Sequence, residues 1–176
     1  MKEPAPIFTK LFESHVWIRP GGRGTLLESP VIKAFVEASM EEGASDFVID
    51  LEACPGMDST FMGMLAGLGI GFRKNKKGQI SIVGTTGKTR ASLKELGIQH
   101  LMSIEPSEGP WIGKMEEARA DLVRLDQKTG GDKEAHVLKS HEDLCLADDA
   151  NLDRFKTVLE MLGSDMTTGA ATRPGN

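Results

Sequence analysis

Apolar positions along the first hundred residues fall in short runs whose period changes. Residues 7–12 (IFTKLF) and 14–19 (SHVWIR) predict two short strands, and the turn-rich Pro20-Gly-Gly-Arg-Gly24 follows them. Val31, Ile32, Phe35 and Val36 then recur at helical spacing. Ser29 and Pro30 suit the N-cap and first position of that helix, and Gly43 suits its end. The dense apolar run 46–51 (DFVIDL) has the length of a buried strand. After a loop through Pro55-Gly56, Asp58-Ser59-Thr60 opens an apolar segment over 60–72 that carries Gly63, Gly67, Gly69 and Gly71. Each glycine costs a helix about 1 kcal/mol relative to Ala. A helix is still expected, because glycines let a helix sit close on a sheet. Arg73, Lys74, Lys76 and Lys77 favour its C-terminal dipole end. Residues 79–83 (QISIV) predict a strand, 86–96 a short helix ended by Gly97, and 99–104 (QHLMSI) a last strand. The order β-β-α-β-α-β-α-β argues for a mostly parallel sheet.

Beyond residue 108 the pattern becomes helical. Trp111, Met115, Ala118, Leu122 and Leu125 form a seam at 4-3-4-3 spacing, broken at Thr129-Gly-Gly-Asp132. Residues 133–147 predict a helix with Val137, Leu138, Leu144 and Leu146 as its apolar contacts. Leu152, Phe155, Leu159 and Leu162 make another stripe, ended by Gly163. That stripe must be buried, either on its own domain or against a second copy or partner. The polar tail 164–176 is expected to be disordered.

Composition adds mainly exclusions. The 176 residues carry a net charge of −5, with no general basic surface for nucleic acid. No apolar run approaches the roughly 20 residues that span a bilayer, and the N-terminus lacks a signal-peptide stretch. A cytoplasmic protein is expected, with Cys54 and Cys145 as free thiols, since neither CxxC spacing nor a zinc pattern is present.

Candidate chemistry centres on Asp58-Ser59-Thr60. The plain reading is a helix cap, in which these side chains satisfy orphan N–H groups. The functional reading is that a phosphate at a helix N-terminus is well tolerated and changes the surface without unfolding the helix. Gly84-Thr-Thr-Gly-Lys88-Thr89 suggests a phosphate-binding loop, but the required earlier glycine is replaced by Ile82. A turn and helix start, with at most a weak anion site, fits better. His136 and His141 are five apart, off the spacing of helical metal pairs, and His15 and His100 have no evident carboxylate partner. Asp148-Asp-Ala-Asn-Leu-Asp153 lacks the glycine and closing Glu of a calcium loop and reads as a capping cluster. No Gly-x-Ser-x-Gly elbow is present. No metal site, cofactor or enzymatic activity is expected.

Phe47-Val-Ile-Asp50, Gly56-Met-Asp58-Ser59-Thr60-Phe-Met-Gly63-Met-Leu65, Ile80-Ser-Ile-Val-Gly84, Leu93-Lys-Glu-Leu-Gly97-Ile and Leu101 together resemble the STAS domain family, over roughly residues 6–106. The resemblance implies an α/β fold: a mixed, mostly parallel sheet of four to five strands with helices packed on it. It sets a STAS-like domain at 1–108 apart from a C-terminal helical extension at 109–163, with 110–127 a candidate for the closing helix. The best-known members are bacterial anti-sigma factor antagonists. The resemblance implies a phosphoacceptor at Ser59, with Thr60 second, and a partner interface of Asp58, Thr60, Phe61, Met62 and Gly63. The implied partners are an anti-sigma factor and serine kinase, which brings its own ATP and Mg²⁺, and a PP2C-type phosphatase. The family motif carries Gly-Leu where this chain has Phe61-Met62, two large apolar residues that either fill the approach glycine leaves open to a kinase or form the contact surface for a different partner. The competing expectation is a scaffold subunit, never phosphorylated, that holds a larger complex through Phe61-Met62 and the C-terminal helices. Those helices are also the candidate surface for a homodimer.

Overall fold

The computed structural model describes residues 2–76, 78–127 and 131–164. Six strands form one sheet in the order β5-β4-β3-β2-β1-β6. Strands β1 (Ile7–Phe12) and β2 (His15–Pro20) form an antiparallel hairpin that pairs Phe12 with His15. Its two turn residues, Glu13 and Ser14, both have positive φ, the geometry that follows the strand twist. Strand β2 pairs in parallel with β3 (Asp46–Asp50), β3 with β4 (Gln79–Val83), and β4 with the short β5 (Ser103–Ile104). The expected mixed, mostly parallel sheet with helices on it is therefore present.

Alternation along the strands divides the core in two. Val16, Ile18, Phe47, Ile49, Ile80 and Ile82 face α1 (Ser29–Glu41) and α2 (Ser59–Asn75), whose Ile32, Val36, Phe61, Leu65 and Phe72 complete the larger cluster. Trp17, Val48 and Val83 face the other way and are covered by Trp111 and Ala118. Trp17 and Trp111 meet edge to face with centroids 6.0 Å apart.

Several expectations need correction. The helix anticipated over 110–127 is a five-residue α4 (Met115–Arg119) followed by a sixth strand, β6 (Val123–Arg124), antiparallel to β1. Gly113 and Asp121, both at positive φ, bound the helical turn and send the chain back to the sheet edge. The seam is still used: Trp111, Met115, Ala118 and Leu122 lie on the second face of the sheet. The strand anticipated over 99–104 is reduced to two residues behind a 3₁₀ turn (Ile98–His100). That turn buries both Ile98 and Met102, which an extended chain would place on one edge. Ser29 does not cap α1. Glu28 is the N-cap, and its carboxylate instead binds the Ala5 and Thr25 amides.

The C-terminal helices fold back on α2. Helix α5 (Lys133–Ala147) packs along α2, and α6 (Ala150–Met161) packs on α5, burying Leu159. Leu146, anticipated as a contact, is exposed. The 3₁₀ turn follows α3 (Gly87–Glu95), whose Leu96 carbonyl accepts from Asn151 Nδ2 of α6 at 3.0 Å. Ser164 ends the described chain with its hydroxyl on Glu142 Oε1, and 165–176 lie outside the described residues.

Candidate functional site

The loop before α2 is clamped by its neighbour. Gly24 N–H donates to the Gly56 carbonyl and Asp58 N–H donates to the Gly24 carbonyl. Gly24 is required there, since a Cβ would sit 2.8 Å from the Phe61 ring. The clamp fixes Asp58 as the N-cap of α2. One of its carboxylate oxygens accepts from Phe61 N–H at 2.8 Å, the other from Leu26 N–H at 3.0 Å. Ser59 is thus the first residue of a 17-residue helix, at its positive end.

Of the anticipated interface residues, Asp58 and Ser59 are half-buried, while Thr60 and Met62 are nearly covered and Phe61 is fully buried. Phe61 is a core side chain rather than a surface contact. Replacing the small residue of the family motif, its ring fills the space under Gly24.

The Ser59 hydroxyl already has a partner. It lies 2.9 Å from His141 Nε2 of α5. His141 Nδ1 lies 2.8 Å from the Val137 carbonyl, and a carbonyl only accepts, so Nδ1 carries the proton. In the neutral ring Nε2 is then the acceptor for the serine hydroxyl. His141 is 3% exposed, and its ring meets Phe155 of α6 edge to face at 5.0 Å. A second pair repeats the arrangement one helix away: Ser29 Oγ lies 2.7 Å from His136 Nε2. Burial, with Lys33 nearby, pushes the His136 pKa below 6.5, against a smaller upward pull from Asp58.

Two of the glycines in α2 serve this contact rather than the sheet. A Cβ on Gly63 would overlap the Ser140 carbonyl, and one on Gly67 would overlap the Asp143 carboxylate. Asp143 is buried there, and its pKa is raised by that burial although Lys139 pairs with it at 2.6 Å. Gly69 faces Leu101 and Met102, so it alone of the three fits the expected role against the sheet side of the fold.

Other candidates resolve into structure. Thr86 caps α3 in a reciprocal capping box with Thr89, and the Thr85 amide donates to Glu105 at 2.6 Å, so a carboxylate of this chain already fills the loop. Asp148 accepts from the Ala150 amide at the start of α6, as a capping cluster would. Among the described residues no cluster of His, Cys, Asp or Glu could hold a metal. None of their helices is long and apolar enough to cross a membrane.

A STAS domain family model matches residues 12–110. The chain belongs to the STAS domain family. No curated protein matches it. Among solved structures, this STAS domain is similar to a Thermotoga maritima protein provisionally described as an anti-sigma factor antagonist. The two are 17% identical over 63% of this chain and 92% of that one, with a TM-score of 0.52. It is also similar to the anti-sigma factor antagonist SpoIIAA in its unphosphorylated form (16% identity, 66% and 99% covered, TM-score 0.49). A third likeness is to the murine anion transporter Slc26a9 (13% identity, 69% and 23% covered, TM-score 0.46). At these identities the likeness is one of fold. His141, His136, Ser140 and Asp143, which build the contact over Ser59 in this STAS protein, lie outside the matched span.

Proposed function

We propose that the chain is a regulatory binding module of the partner-switching kind, working as an anti-sigma factor antagonist does. Unphosphorylated, it binds an anti-sigma factor with serine-kinase activity through the surface around Asp58, Ser59 and Gly63. Phosphorylation of Ser59 by that kinase, with its own ATP and Mg²⁺, releases the partner, and a PP2C-type phosphatase restores binding. The single observation that carries this reading is the place of Ser59. It is the first residue of a long helix, behind a carboxylate cap, where a phosphate meets the positive helix end and repels partners through the added charge. Thr60, nearly buried, is the weaker acceptor.

The test is incubation of the full chain with its cognate kinase and ATP, followed by peptide mass mapping. One phosphate on Ser59 is expected, with none on Ser59→Ala, and Ser59→Asp should keep its fold and lose the kinase. Wild-type affinity in Ser59→Asp overturns the reading. A second reading, a STAS scaffold subunit that is never phosphorylated, is favoured by the hydrogen bond that already occupies the Ser59 hydroxyl. It expects no phosphate and an unchanged complex in Ser59→Asp.

A further inference from the structure

We infer that the α5–α6 hairpin is a detachable cover seated on the Ser59 surface, and that its opening is the regulated step that admits a partner. This rests on the reading of that surface as the partner site.

Three observations carry it. First, α5 occupies the site directly: His141 binds the Ser59 hydroxyl at 2.9 Å, and no phosphoryl group fits between them without moving the ring. A phosphate on Ser59 breaks this contact, so by linkage phosphorylation and the closed cover oppose each other. Second, the seat is shaped for a helix. Gly63 and Gly67, one turn apart on α2, leave the space that the Ser140 carbonyl and the Asp143 carboxylate fill. Third, the buried side of the hairpin is mixed: Leu144, with the partly buried Ala147 and Phe155, joins the larger core cluster, and polar side chains share the surface with them. Of its seven fully buried side chains, Ser140, His141, Asp143 and Asn151 are polar, and only Leu144, Cys145 and Leu159 are apolar. Its polar contacts to the rest of the fold (Ser59–His141, Ser29–His136, Asn151–Leu96) are hydrogen bonds that water can replace when the hairpin lifts.

Hydrogen exchange of the full-length protein, read by peptide mass mapping, measures opening without any kinase. A helical hairpin off its seat is marginally stable, so the amides of α5 and α6 report the cover, and those of β3 and β4 are the internal control. Gly63→Ala drives a methyl into the Ser140 carbonyl and should speed exchange in α5 and α6 at least tenfold, with β3 and β4 unchanged. His141→Ala, which adds no bulk, should speed it several-fold. Exchange rising together in hairpin and sheet in His141→Ala, or unchanged in the hairpin of both variants, overturns the cover. The His141 variant, altered only on α5, should also bind the kinase partner more tightly by the factor its exchange rises. Unchanged affinity alongside faster exchange shows that the hairpin does not cover the partner surface, and overturns the inference equally. Absence of phosphate on Ser59 would sink the phosphoswitch while leaving the exchange result intact, so the two failures are distinguishable.

Discussion

The segment that closes the second face of the sheet hangs on one buried charge pair, and removing half of it should be costly. Asp50, at the end of β3, is fully buried. Its carboxylate accepts from Arg119 Nε at 2.8 Å and Nη2 at 2.9 Å, from Trp17 Nε1 at 3.2 Å and from the Glu52 amide at 3.1 Å. The fork is bidentate, and Asp50 in turn raises the pKa of Arg119 through that hydrogen bond. Arg119→Met would leave the carboxylate with two neutral donors and no countercharge. Breaking a buried pair in this way costs about 3–5 kcal/mol. Arg119 keeps 20% of its side chain exposed, and water can reach the vacated position, so the lower end, about 3 kcal/mol, is expected. Urea unfolding followed by far-UV circular dichroism gives the value from the midpoint at unchanged slope. The double variant Asp50→Asn/Arg119→Met removes both charges and should recover at least about 1 kcal/mol of that loss, as coupled neighbours do. A loss under about 0.5 kcal/mol in Arg119→Met would place the pair with exposed ion pairs and refute the reasoning.

Two further outcomes concern the site itself. Asp58→Ala removes the cap of α2 and strands the Leu26 amide, and should cost about 1–2 kcal/mol in the same unfolding assay, whereas Asp58→Asn keeps one acceptor, sets its amide nitrogen against the other N–H, and should lose part of that. His136 has a folded pKa below its unfolded 6.5, so the unfolded chain binds its proton first as pH falls. Its contribution to stability is therefore complete above pH 6.5 and is lost as pH falls toward the lowered value. The thermal midpoint of the wild type should drop more between pH 7.5 and 5.5 than that of His136→Gln. The opposite contribution of Asp143, whose pKa is raised, is common to both proteins and cancels in the difference. Parallel curves would refute this.

What the sequence shows and what it hides follow from range. Strand β3 was legible because a dense apolar run of five or six residues is buried on both faces. The Asp58 cap was legible because its signal lies within three residues. Strand β6 has two residues and no period of its own; it exists because β1 offers an unpaired edge. The partners of Asp50 and Ser59 stand 69 and 82 residues away, with no local pattern to link them. His136 and His141 looked unrelated because each serves a different serine instead of sharing a metal. One signal was present and misassigned. Gly63 and Gly67 are four apart, which places both on one face of α2, and small residues at that spacing mark a helix that admits another helix closely. They were expected to bring α2 onto the sheet.

A serine held by a histidine invites comparison with a hydrolase, and the geometry argues against it here. A nucleophile needs a base within hydrogen-bond reach, a third group that orients the base, and an open approach for substrate. Ser59 and His141 meet the first condition, and the Val137 carbonyl supplies a neutral form of the second. The third fails. The His141 ring is nearly inaccessible between Ser59 and Phe155, and the backbone of α5 lies on Gly63 one turn further along. The same closeness that excludes a substrate makes the pair an effective fastener. It ties the first turn of α2 to a helix that lies outside the matched STAS span. Any event that needs the Ser59 hydroxyl must therefore first break a contact between two parts of the chain, and the energy of that contact sets the threshold for the event.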